Sequence, residues 1–285
     1  MLSRSHDRHR ASALPRGYKH PPLFHILHPS FIHPTSMPAS SPKDRFQAIF
    51  IHRVPPHLSS KEFENKVEAW IDELVQLPAV QRNVIKIEMC FADNSLDEHV
   101  KLLRFSPPAP AVIVNIVQTE TLDHMRETLT DTELIRLCDR GKEFHFQDGA
   151  SALSVDIIAK TNFTVPQNAT RIMAIFKAPR HVALEDYSRK CHRCFEECFS
   201  LPEVEKHGVK YEVWEQNNAI DDCLPSLGHT VAKPIVIGTA ACENPDNIVD
   251  DWKDPQFQRL IHKATEDPTF NLAAEVFAFQ VVTKL

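Results

Sequence analysis

The chain has 285 residues, is 42% hydrophobic and 25% charged, and carries a formal net charge of −6. That composition belongs to a globular chain of about two domains. The acidic balance gives no electrostatic footprint for nucleic acid, and the longest apolar runs are strand-sized, too short to span a membrane.

Residues 1–45 hold seven prolines and six histidines, with Asp7 and Asp44 as the only acids. No hydrophobic period survives the prolines, so a disordered tail is the first reading. A mitochondrial transit peptide is the second, although Pro21, Pro22, Pro29 and Pro34 break the amphipathic helix it would need. Translation starting at Met37 is the third.

A strand is expected over 46–53, apolar on both faces through Ala48, Ile49, Phe50 and Ile51. Ser59 or Ser60 then caps a helix, with Glu62 in the first turn. Phe63, Val67, Trp70, Ile71 and Leu74 recur at helical spacing, and Pro78 ends the run. Strands follow at about 84–91 and 111–117, helical pieces over 120–140, and a strand over 152–159. The order then repeats: a strand at 171–177, a helix at 183–198, strands at 208–214 and 234–240, helical pieces over 246–264 and a strand at 273–283.

The repetition extends to residues. Phe63 to Glu88 recurs as Tyr187 to Glu212 at an offset of 124, through Leu77-Pro78 and Leu201-Pro202. The same offset lays Pro110–Val114 onto Pro234–Gly238, and Ala-Ile-Phe stands at 48–50 and 174–176. Each copy reads β-α-β-β-α-β, a ferredoxin-like unit. The expected organisation is a tail over 1–45 and two repeats over 46–165 and 166–285. Ile172–Phe176 and Val276–Phe279 do not alternate, so both sheet faces must be covered. Two such sheets closing on each other make an α+β barrel within one chain.

The seven cysteines are odd in number, and three lie on one helix, which points to a reducing compartment. The six glycines build no phosphate-cradling loop, so no nucleotide cofactor is expected.

His52 is the leading catalytic candidate, a histidine on an otherwise apolar strand face that could act as a general base beside a pocket. Its counterpart in the second copy is Ala178. Arg53 and His57 could hold an anionic group, although an ordinary exposed turn explains them as well. Trp70 and Tyr187 could line an aromatic pocket, against the plainer reading of helix-face core. Trp70 opposite Cys194 suggests more space in the second copy. Glu88 and Glu212 share a Lys-x-Glu pattern that reads as a solvated face. Cys191, Cys194 and Cys198 lie at i, i+3 and i+7, but their counterparts Val67, Trp70 and Leu74 make them core rather than metal ligands.

Leu58-Ser-Ser-Lys-Glu-Phe63, Leu77-Pro-Ala-Val80 and Lys86-Ile-Glu88, with Trp252–Phe257 and Glu275–Phe279 near the end, resemble EthD-like proteins of the dimeric α+β barrel superfamily. The resemblance covers 46–285 and suggests a fungal protein, working in the cytoplasm or, if the tail is a transit peptide, in the mitochondrion. Members of that superfamily usually form the barrel from two chains, whereas this chain looks like a fusion that makes its barrel alone, a monomer with an internal pseudo-dimer that could dimerise further. The partner would be a small hydrophobic or aromatic, polyketide-like metabolite. The reaction would be cofactor-independent proton transfer: decarboxylation, cyclisation, dehydration or oxidation. The alternative is a non-catalytic barrel that binds ligands or serves as a scaffold.

Overall fold

The first strand, β1 (Phe46–Arg53), is followed by α1 (Ser60–Leu74), which starts where the sequence signals it. Ser59 Oγ accepts from the Glu62 amide at 3.3 Å, and Glu62 Oε2 accepts from the Ser59 amide at 2.9 Å. Two otherwise orphaned donors are thereby satisfied. Pro78 does more than end α1: it opens a separate short helix, α2 (Pro78–Asn83), because its fixed φ suits the first helical position.

The first half continues through β2 (Val84–Asp93), α3 (Asp97–Val100), β3 (Val112–Thr119), α4 (Leu122–Leu129), α5 (Thr132–Gly141) and β4 (Ser151–Ala159). The second half runs β5 (Thr170–Lys177), α6 (Leu184–Phe199), α7 (Pro202–His207), β6 (Lys210–Asn217), β7 (Thr230–Val231), β8 (Ile235–Cys242), α8 (Pro245–Lys253), α9 (Pro255–Glu266) and β9 (Ala274–Thr283). The computed structural model describes residues 45–159, 161, 163, 166 and 169–285. The expected tail, save Arg45, lies outside them, and the boundary expected at 165/166 falls in a segment described only at isolated positions.

Within each half the strands order as in a ferredoxin-like unit, β4-β1-β3-β2 and β9-β5-β8-β6. The halves then join edge to edge. β2 pairs antiparallel with β9 from Glu88↔Thr283 to Asp93↔Ala278, and β4 pairs with β6 from Ser154↔Asn217 to Ala159↔Glu212. Eight strands thus close a barrel and leave none of the eight with a free edge. β7 adds a short parallel pairing to β4.

Three apolar cores result. Ile49, Ile51, Cys90, Val114, Leu153, Met173, Ile237 and Phe277 fill the barrel interior, as side chains do in an eight-stranded barrel. A second core packs the first-half helices on the outer sheet face, and a third does so in the second half. The strands without alternation are therefore those buried on both faces.

The two halves trade covering segments. Leu96, Val100, Leu103 and Phe105, from the β2–β3 connection, belong to the second-half core. Ile220, Cys223, Leu224 and Leu227, from the β6–β8 connection, belong to the first-half core. The described part of the barrel is accordingly one compact unit.

Two expectations need correction. The 124-residue offset fails between β3 and β8. Val114 faces the barrel, whereas a Cβ on Gly238 would meet Phe176 Cε2 at 3.2 Å on the helix side. Glu88 is buried rather than solvated. Lys86 Nζ, two residues back on β2, lies 2.7 Å from its carboxylate, and Arg171 of β5 lies 3.8 Å away.

Candidate functional site

Period two along β1 sends Ala48, Phe50 and His52 to the helix side and Ile49, Ile51 and Arg53 toward the barrel. His52 is fully buried and lines an apolar cavity of about 50 Å³ between sheet and helices. Trp70, Asn115, Phe146 and His229 share the lining.

The His52 ring is held on two sides. It stacks on Phe146 with centroids 4.0 Å apart, and its Nδ1 lies 3.1 Å from the Phe146 carbonyl oxygen. A carbonyl only accepts, so Nδ1 carries the proton and Nε2 is left with a bare lone pair. Nε2 has no hydrogen-bond partner among the described residues. Burial, and secondarily the neighbouring His229, depress the His52 pKa to about 3, so the imidazole is neutral at pH 7.

His229 approaches from the second half. Its ring centroid lies 5.5 Å from that of His52, and burial lowers its pKa to about 4. Its Nδ1 is also without a partner among the described residues, as is Asn115 Oδ1. Three unpaired polar atoms on residues around one apolar cavity are a costly arrangement for a structure that needs only packing. His229 follows Gly228, whose φ of 73° makes the turn that delivers it. Sequence reasoning missed it: the 218–232 segment has no repeat partner rich in histidine, and its apolar residues Ile220, Cys223, Leu224 and Leu227 signal burial without marking His229.

Trp70 joins this site. It tilts on Phe146 at 4.5 Å and donates Nε1–H to the Leu137 carbonyl at 3.0 Å, so it offers a ring face rather than a donor. Arg53 does not join it. On the opposite strand face its guanidinium meets Glu275 at 2.6 Å, where Lys177 also binds at 2.7 Å. His57 is exposed and packs edge-on against His145 at 4.6 Å. Tyr187 is fully buried in the second-half core, against Phe270 at 5.5 Å, and contributes nothing to the His52 cavity.

Cys191, Cys194 and Cys198 are all buried in the second-half core. Among the described residues no cluster of three or more His, Cys, Asp or Glu has the arrangement of a metal site, and no helix is long and apolar enough to cross a membrane. A second cavity of about 70 Å³ lies between sheet and helices of the second half. Cys194 does not line it; Phe195 and Phe199 do.

No protein-family model matches the sequence, and no curated protein matches it. Among solved structures, an anthrone oxidase-like protein superposes with a TM-score of 0.55 at 9% identity, over 85% of this chain and 94% of its own. A candidate monooxygenase from Fusobacterium nucleatum gives 0.48 at 7% identity, over 83% and 92%. Another from Lactobacillus acidophilus gives 0.45 at 7%, over 84% and 94%. At such identities the likeness is one of fold. The architecture is that of the dimeric α+β barrel, with both halves supplied by a single chain.

Proposed function

We propose that the first-half cavity is a proton-transfer site for a small hydrophobic, aromatic metabolite, with His52 as the base. The observation that carries this reading is the unpaired Nε2 of a neutral, tautomer-fixed imidazole lining an apolar cavity. His229 is the second imidazole, placed to receive or return the proton, and Asn115 Oδ1 accepts from a substrate donor. The chemistry is decarboxylation, cyclisation or dehydration of a phenolic substrate, or its oxidation with dioxygen as the electron acceptor, and His52 and His229 supply the proton transfers. With a pKa of about 3, His52 is a weak base in the closed cavity. An acidic substrate entering beside it raises that value toward working pH, because a nearby negative charge favours the imidazolium.

Size sets the access requirement. A cavity of roughly 150 Å³ accepts a benzene ring, and this one offers about 50 Å³. Phe146 is the wall that an aromatic substrate would have to displace. It sits on the connection between α5 and β4, where His145 has φ 61° and Gly149 φ 68°, and its ring lies against both His52 and Trp70. An aromatic substrate takes over that stacking position.

We further read the chain as an EthD-like protein acting as a monomer, its two halves in the roles of two subunits. The seven free, buried cysteines support a reducing, cytoplasmic setting.

The test is a thermal-shift screen of aromatic acids and polyketide-like phenols, since a ligand of the folded state raises the midpoint. His52→Ala then loses roughly 10²–10⁴ in turnover on the substrate so found. Full turnover by that variant removes His52 from the mechanism. The small cavity volume favours a second reading, a non-catalytic barrel, and a screen in which no aromatic raises the midpoint selects it.

A further inference from the structure

The second half holds a polar network that its counterpart lacks. Asp251, on α8, is fully buried. Its Oδ1 meets His207 Nδ1 at 2.5 Å, and its Oδ2 accepts from the Tyr211 hydroxyl at 2.8 Å. Burying a carboxylate is expensive even when it is paired. The repeat does not require it: the 124-residue offset places Asn83 opposite His207 and Ile87 opposite Tyr211, and Ile87 packs fully buried in the first-half core. Packing a helix layer on this strand therefore needs no such acid.

Tyr211 also lines the 70 Å³ cavity, with Phe105, Phe176, Phe199 and Trp252. Its hydroxyl proton is committed to Asp251, and among the described residues no donor reaches its oxygen. A donor that reached this oxygen from the cavity would therefore find an acceptor only. Phe199 is only half-buried and stacks on Tyr211 at 3.9 Å, so it is the wall that a ring-sized ligand would have to displace.

We propose that this cavity is a second binding site, distinct from the His52 cavity, for a small uncharged ring bearing one hydrogen-bond donor, such as a phenol. Tyr211 selects the ligand through an oxygen whose own proton is held by Asp251 and whose position is fixed through His207. The lining, apolar but for Tyr211, Glu212 and Thr239, binds the ring, and the Tyr211 acceptor disfavours molecules of the same shape that lack a donor.

The experiment titrates the full chain with phenol and with anisole, its methyl ether, and follows the tryptophan indole N–H resonances. The three tryptophans report separate compartments: Trp252 the second-half cavity, Trp70 the first-half cavity and Trp214 the barrel interior. Phenol should shift Trp252 and bind about tenfold more tightly than anisole, the worth of one neutral hydrogen bond. Tyr211→Phe should bring phenol to the level of anisole or below it. If that variant does not fold, the phenol-to-anisole ratio of the wild type decides. Anisole binding as tightly as phenol, or no Trp252 shift with phenol, overturns the proposal. A shift confined to Trp70 overturns it too, while supporting the first-half site.

Discussion

Acid should destabilise this protein through two histidines. His52 and His229 take up a proton near pH 6.5 in the unfolded chain but only near about 3 and about 4 in the folded one, because burial disfavours the charged ring. Between those limits the unfolded state binds more protons. The stability that the neutral rings maintain above about pH 6.5 is therefore lost as the pH falls toward 4. At pH 5 each ring sits ~1.5 pH steps below its unfolded value, which is about 2 kcal/mol per histidine and about 4 kcal/mol for the pair. Urea unfolding at pH 7.5 and pH 5.0 measures the loss. The control is the His52→Leu, His229→Leu double variant, which retains every other titrating group. Glu275, held below its usual range by Lys177 and Arg53 against the effect of its burial, and Asp251, raised by burial, thus cancel in the comparison. The wild type should lose about 4 kcal/mol more than the variant over this range. Equal losses in the two proteins would mean that the rings are not held neutral in an apolar cavity.

Other expectations follow from the same packing. Phe146→Ala should cost about 3–5 kcal/mol in urea unfolding, and saturating benzene should restore part of the midpoint by refilling the space, which no recovery would contradict. Residues 45–165 and 166–285 expressed separately should each lack a cooperative transition, because each core needs the covering segment of the other half; a folded single half by circular dichroism and urea titration would refute the exchange. The seven thiols should react with Ellman's reagent only as the protein unfolds. Burial pushes Cys138 up to about 12 and Cys242 to about 11, and holds Cys90 and Cys191 well above the thiol range. More than one thiol labelled at the rate of the denatured chain would contradict that burial.

The repeat, the helix faces and the strands apolar on both sides were legible in residue spacing, because burial imposes a period wherever one face of an element meets a core. Phe63, Val67 and Trp70 on α1 and Tyr187, Cys191 and Cys194 on α6 are buried at the spacing that predicted them. His52 stood out for a related reason, as a polar residue on an apolar strand face. Tertiary structure alone decided the rest. Whether Arg53 shares a site with His52 depends on which strand face each occupies and what lies beyond it, and Glu275 is 222 residues away in sequence. His229 reaches His52 across 177 residues of chain through an exchanged segment, and neither carries a mark that names the other. Glu88 looked solvated because its own strand alternates, and only closure of the barrel by β9 buries it. Local period reports the chemistry of one element against its surroundings. Which two elements meet is set by barrel closure and segment exchange, and these leave no period in the residues they bring together.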